Sequence, residues 1–226
     1  MSNDTIAILG GTGDQGLGLA LRFCAAGREV VIGSRKRERA VEAAEGVAKQ
    51  VPDARVAGRE NGDAGEGAGI VILSVPFEHT AGTVKAVRER LAPGQVIVSM
   101  GVPLATAVGG AASHTVGVWQ GSCAELVAGL VPAGVHVVSA FQNVSAHRLQ
   151  TLPDPVECDV VVSGEREPRT RVMELCGVVP GLRGVDGGPL ANARIVESLT
   201  ALLIGMNLRY KVAEGIGVRF TGLPGA

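Results

Sequence analysis

The sequence predicts an α/β fold, with a mostly parallel sheet flanked by helices and a small C-terminal α/β extension. Three observations carry that prediction. Short β-branched runs alternate with helical stretches through the first half of the chain, the pattern of parallel strands joined by crossover helices. A glycine-rich turn, Gly10-Gly11-Thr12-Gly13, separates the first apolar run from the first helical stretch. The chain has 226 residues, 46% of them hydrophobic and 19% charged, with a formal net charge of -1. It is therefore long enough to bury a sizeable core, and it has no global field to recruit nucleic acid or an anionic membrane.

Taken in order, Thr5 to Leu9 reads as the first strand, and Asp14 to Ala26 as a helix closed by Gly27. Glu29 to Gly33 is a second strand, and the Ala/Glu-rich stretch from Lys36 to Gln50 is helical until Pro52-Asp53 breaks it. Strands follow at Arg55 to Ala57, Ile70 to Val75 and Val96 to Ser99, with an amphipathic helix from Phe77 to Leu91 between the last two. Beyond Met100 the periodicity loosens into a loop that ends in a short helix, Cys123 to Leu130. Val135 to Phe141 reads as a buried strand, Val160 to Ser163 as another, and Pro168 to Cys176 as a helix. Leu190 to Lys211 is the longest helical segment, with Ile195, Leu199, Leu202, Leu203 and Met206 near the helical period. A helix this apolar is expected to be buried, with a second subunit as one way of covering it. Residues 1–150 are expected to form one domain and 151–226 a smaller C-terminal part.

The four cysteines, Cys24, Cys123, Cys158 and Cys176, form no CxxC pair or Cys/His cluster. They read as reduced, buried thiols, and no metal site is expected. No basic stretch backed by an apolar run opens the chain, and no apolar run reaches the roughly 18 residues of a membrane span. A cytoplasmic location is expected.

Gly11-Thr12-Gly13-Asp14-Gln15-Gly16 fits G-x-G-x-x-G, and each glycine has a physical reason. The first makes the tight turn, the second lets backbone approach a pyrophosphate, and the third lets helix and strand pack closely. Phosphate oxygens then meet free N–H groups at the positive end of the helix. Following a strand and opening a helix, the motif predicts a Rossmann-like dinucleotide site. Gly18 has no such reason. The end of the second strand selects the dinucleotide. NAD binders place a carboxylate there for the ribose 2′-OH. This chain has Gly33-Ser34-Arg35, followed by Lys36, Arg37 and Arg39. A hydroxyl and guanidinium groups pair with a 2′-phosphate, which a carboxylate would repel, so NADP is favoured. Cationic side chains at a helix N-terminus are also unfavourable unless an anion compensates them.

With these motifs in place, the chain resembles the NADPH-dependent reductases of the deazaflavin coenzyme F420 over nearly its whole length. The resemblance runs through Ile8-Leu9-Gly10-Gly11-Thr12-Gly13, Gly33-Ser34-Arg35 and Leu73-Ser74-Val75-Pro76-Phe77-Glu78-His79. It continues through Val137-Val138-Ser139-Ala140-Phe141, Gly188-Pro189-Leu190-Ala191-Asn192-Ala193-Arg194 and Val196-Glu197-Ser198-Leu199-Thr200. It implies pyrophosphate contacts at Thr12, Gly13, Asp14 and Gln15 and 2′-phosphate contacts at Ser34, Arg35 and Arg39. Val75, Val102 and Ala146 would line the nicotinamide end, with Pro76 and Leu190 counted among the cofactor contacts. It further implies a deazaflavin stacked on the nicotinamide in a cleft beside the C-terminal part, and a homodimer contacting through the Leu190 to Lys211 helix. Where the family pattern has His-Thr-Ile-Pro, this chain has Gln142-Asn143-Val144-Ser145. Gln142 and Asn143 can still hydrogen-bond the edge of a planar heterocycle, so they and Val144 are placed with the second cofactor.

Hydride transfer between two cofactors asks the protein to hold donor and acceptor carbons close and dry, so no catalytic acid or base is expected. Among the histidines, His79 is expected to cap or pack and His147, beside Arg148, is a candidate for an anionic cofactor tail; His114 and His136 have no case. Arg194 and Glu197, at i and i+3, read as a helix-surface ion pair, with Asn192 and Arg194 as further candidates beside the deazaflavin. Three alternatives stay open: reduction of a pterin, reduction of a small imine or ketone as in pyrroline-carboxylate reductases, and a non-catalytic NADP sensor.

Overall fold

The structure is a computed structural model that describes residues 5–223. Eight strands form one sheet in the order β3-β2-β1-β4-β5-β6-β7-β8. They are β1 Ile6–Leu9, β2 Val30–Ser34, β3 Val56–Glu60, β4 Ile70–Leu73, β5 Val96–Ser99, β6 His136–Ser139, β7 Cys158–Gly164 and β8 Leu182–Asp186. All neighbours are parallel except β6 and β7, which run antiparallel through Val138↔Gly164 and Ser139↔Ser163. β1, β4 and β5 are buried along their whole length. This is why their sequences are unbroken apolar runs rather than alternating ones: helices cover both faces.

Alternate residues of β1 serve opposite cores. Ile6 and Ile8 pack with helices α1 (Asp14–Ala25), α2 (Arg37–Gln50), α6 (Ala146–Gln150) and α7 (Arg166–Gly177). Ala7 and Leu9 pack with α3 (Asn61–Gly65), α4 (Phe77–Val87) and α5 (Cys123–Ala128). The last helix, α8 (Ala193–Tyr210), is preceded by one turn of 3-10 helix at Leu190–Asn192. Among the described residues, 151–223 extend the same sheet through β7 and β8 rather than building a second one.

The structure differs from the sequence reading at several points. The Phe77 to Leu91 helix stops at Val87, and Arg88–Arg90 tightens to 3-10 geometry. The strand expected to reach Phe141 ends at Ser139, because Phe141 itself is left-handed at φ +70. The short helices α3 and α6 and the strand β8 carry no readable period; α6 is instead defined by its partners. Ser145 caps it, its side chain accepting from Arg148 N–H. At its other end the buried Arg22 guanidinium of α1 donates to the carbonyls of Leu149, Arg148, Thr151 and Asp154 at 2.6 to 2.8 Å. Gly18 finds its reason in the same contact. A Cβ there would lie 2.6 Å from Leu149 Cβ, so glycine is what lets α1 and α6 meet.

Within the single chain α8 is covered on one face only: Val196, Ala201 and Leu203 face inward, while Ile195, Leu202, Leu208 and Tyr210 are exposed. After α8 the chain turns back along the sheet edge. Val218 C=O accepts from Asp159 N–H, and the fully buried Asp159 carboxylate is bound by Arg183, Arg219 and Phe220 N–H. The 100–122 connection carries a 3-10 turn, Ala105–Val108, and one bridge, Leu104↔Thr115. It also carries the chain's single tryptophan, Trp119, at 98% exposure.

Candidate active site

The sheet reverses its order between β1 and β4, and ligands of open α/β sheets bind outside the carboxyl ends of strands at such a point. Here the glycine turn stands there. Gly10 takes φ +72, and Gly11 N–H donates to Gly33 C=O at 2.9 Å. A Cβ on Gly16 would fall 2.7 Å from Gly11 Cα, the close helix–strand approach that the third glycine was expected to permit. Gly13 is different. It is exposed, and a Cβ there would meet nothing closer than Gly10 O at 3.7 Å. The protein's own packing does not require glycine at that position, whereas a ligand lying against it would. Gly13 also caps α1 without any side-chain acceptor. The first-turn N–H groups of the helix are left for an anion, as in phosphate-binding turns.

Two cavities open from this turn and share Gly13, Ser74, Val75 and Pro76. The first, about 530 Å³, is bordered by Thr12, Ser34, Arg35, Lys36, Arg39 and Asn61, with His79 on its far wall. Arg35, Lys36 and Arg39 are exposed, and none of them makes an ion pair among the described residues. The second cavity, about 500 Å³, is walled by Val75, Met100, Val102, Leu104 and Phe141, with Asp14, Gln15 and Gln142 at its polar side. Together they make one cleft, cationic at one end and largely apolar at the other.

Of the residues singled out from sequence, Thr12, Gly13, Asp14, Gln15, Ser34, Arg35, Arg39, Val75, Pro76, Val102 and Gln142 line this cleft. Gly11 and Gly16 lie buried beneath it. The Gln15 amide donates to Phe141 C=O and Val144 C=O, so its side chain ties α1 to the loop after β6 and only its backbone N–H is left for phosphate. Gln142 donates to Ser99 C=O at 3.3 Å and to Ser139 Oγ. Asn143 and Val144 line neither cavity. Asn143 is buried and gives its amide to Asp159 C=O at 2.7 Å, which takes it away from the heterocycle contact expected of it. Ala146 sits half-buried at the start of α6 against Gly18. Leu190 lines a separate groove of about 320 Å³ with Val131, Val137 and Pro189.

Two expectations about titratable side chains are corrected. Glu197 is 1% exposed and is no surface partner of Arg194; its carboxylate accepts from the N–H groups of Cys123 (2.9 Å) and Ala124 (3.1 Å). Burial pushes its pKa up to about 7, against the pull of those two N–H groups. His79 neither caps nor packs but stands exposed on the cleft wall. His147 is exposed, and its neighbour Arg148 donates to Gly215 C=O at 2.8 Å and pairs with Glu214. The four thiols are free and buried, and burial raises those of Cys24 and Cys123 to about 11. Asn61 and the Met100–Gly101 floor belong to no recognisable motif, and Ser74 sits within the Leu73 to His79 motif without a role of its own in the sequence; only their position after a strand marks them.

Comparison with known proteins agrees with this geometry. Residues 5–103 match the family described as NADP oxidoreductase, coenzyme F420-dependent. The F420-dependent NADP reductase of Methanocaldococcus jannaschii is 46% identical over 224 residues, covering 96% of this chain and 98% of that protein. That of Methanothermobacter marburgensis is 42% identical, covering 97% and 99%. A crystal structure from Arthrobacter sp. FB24 superposes with a TM-score of 0.78 at 23% identity, covering 95% of this chain and 99% of that one. Identity of this extent over both full lengths, on a cleft of this form, places the chain in the family of F420-dependent NADP reductases.

Proposed function

We propose that this chain is an oxidoreductase transferring a hydride between NADP(H) and coenzyme F420, with the two held end to end in the cleft. The observation that carries the reading is the continuity of the cleft: a cationic mouth and an apolar chamber meet across Gly13, Ser74, Val75 and Pro76. Arg35 and Arg39, with Ser34, receive the 2′-phosphate, and the open N–H groups of α1 receive the pyrophosphate. Val75, Met100, Val102 and Phe141 then form a dry wall at the nicotinamide end. When bound, the two cofactors supply the redox chemistry between them. The protein's part is positioning and exclusion of water. The titratable residues lining the apolar chamber are Asp14 and Glu78, both exposed, so the chamber offers no buried acid or base.

In the same reading residues 1–150 hold NADP, and 151–226 complete the deazaflavin side. Small-molecule cofactors are the partners, and a net charge of -1 gives nucleic acid no general attraction. Four buried, reduced thiols suit a cytoplasmic setting. The exposed Ile195, Leu202, Leu208 and Tyr210 of α8 suit a homodimer contact. Leu202→Glu is expected to shift the chain to monomer in light scattering, and a wild-type chain that is monomeric at micromolar concentration would remove the dimer. Mixing protein, NADPH and oxidised F420 tests the central claim: the deazaflavin absorbance should bleach as NADPH is consumed. Tight NADPH binding without bleaching would overturn the choice of acceptor.

A further inference from the structure

Asn61 follows β3 and belongs to no motif, yet it touches both the glycine turn and the cationic cavity. Its Oδ1 accepts from Gly10 N–H at 3.2 Å, at the residue whose φ of +72 begins the turn. A Cβ on Gly33 would lie 2.8 Å from that same oxygen, so the glycine before Ser34 is what makes room for it. A backbone N–H can only donate, which fixes the amide orientation: the oxygen faces Gly10. The Nδ2 group is therefore left with two donor hydrogens and no acceptor among the described residues. It belongs to a half-exposed residue bordering the cavity that Ser34, Arg35, Lys36 and Arg39 also border. Donors gathered around one cavity with no protein acceptor for Asn61 call for an acceptor from the ligand.

We propose that Asn61 is a ligand-binding residue that selects the phosphorylated adenosine ribose, its Nδ2 donating to oxygens of the 2′-phosphoribose while its Oδ1 holds the glycine turn. The inference rests on NADP occupying the cleft as proposed above. One side chain thereby links the two ends of recognition, because the amide that reads the ribose also sets Gly10.

Asn61→Asp separates the two roles. A carboxylate still accepts from Gly10 N–H, so the turn is kept, but it loses both donors and sets a negative charge beside the 2′-phosphate. Dissociation constants for NADPH and NADH, measured by fluorescence titration, should show NADPH binding weakened by about tenfold or more and NADH binding changed by less than about threefold. Equal losses for both, or unchanged NADPH binding, would overturn the proposal. A second measurement needs no variant: in the wild-type chain, the Asn61 side-chain amide resonances should shift with 2′,5′-ADP and stay in place with 5′-ADP. Identical responses to the two nucleotides would also overturn it. A wild-type chain with no preference for NADPH over NADH would instead bring down the NADP reading, and this proposal with it.

Discussion

Replacing Arg22 by Met should cost more stability than any surface change in the molecule. Arg22 is 1% exposed, and its guanidinium donates four hydrogen bonds, to the carbonyls of Leu149 (2.8 Å), Asp154 (2.7 Å), Arg148 (2.6 Å) and Thr151 (2.7 Å). Each charge-assisted bond is worth about 1.5–3 kcal/mol net, but the four share one cation whose own desolvation opposes them. Met replaces the apolar stem, so little cavity term arises, and the loss is four carbonyls stripped of their donor. A cost of about 3–5 kcal/mol follows, the range for breaking a buried charged network. At about 2–4 °C per kcal/mol for a chain of this size, the melting temperature should fall by roughly 6–20 °C. Urea denaturation followed by circular dichroism measures it directly. Arg22→Lys, keeping the charge but losing the planar fork, should fall between the two. A loss below about 1 kcal/mol for Arg22→Met would refute the reasoning that this guanidinium holds α6 on α1.

The same helix contact makes Gly18→Ala destabilising. Overpacking against Leu149 costs about 1–3 kcal/mol and outweighs the roughly 1 kcal/mol that alanine brings to a helix interior, so a variant more stable than wild type in urea would contradict the contact. Burial alone would raise the Asp159 carboxyl, but bonds from Arg183, Phe220 N–H and Arg219 prevail and hold it at about 2, below the usual 3.8. The stability it contributes is present above pH 4 or so and is lost as the pH falls toward 2; Asp159→Asn should flatten that part of a stability-versus-pH curve. Glu197 behaves with the opposite sign. Its pKa of about 7, raised chiefly by burial from 4.5, means the folded chain holds the proton more tightly, so stability declines as the pH rises from about 4.5 to about 7. Glu197→Gln should remove that decline, and an unchanged slope would show the carboxylate already ionised at low pH.

Elements whose stability is local were legible in the sequence; those defined by a distant partner were not. The apolar runs of β1, β4 and β5 announce a doubly covered parallel sheet because each residue is buried whichever face it points to. The glycine turn and the Ser34-Arg35 pair announce phosphate chemistry because backbone shape and charge are properties of the segment itself. α6 has only five residues and exists through Ser145 and an arginine 126 to 132 positions away, so no window of sequence contains its cause. β8 carries Gly184 where an alternating pattern needs a side chain, since a Cβ there would lie 2.7 Å from Met173 Cα. Glu197 illustrates the same limit within the family motif. An i, i+3 spacing with Arg194 reads as a surface pair, and only the approach of the α5 N–H groups turns that face of α8 inward. At the cleft, the glycine turn and cationic mouth were readable from spacing. The apolar chamber was not, because its walls come from the ends of β4, β5 and β6 and meet only through the sheet order.

Trp119 has a practical consequence for how unfolding and binding of this protein can be followed. As the chain's one indole and 98% exposed, it already emits from water in the folded state. Global unfolding should therefore leave the emission maximum nearly where it was, while anything that settles on the 100–122 connection should shift it. Intrinsic fluorescence of this protein is a silent witness to its stability and a direct one to what comes to rest beside that loop.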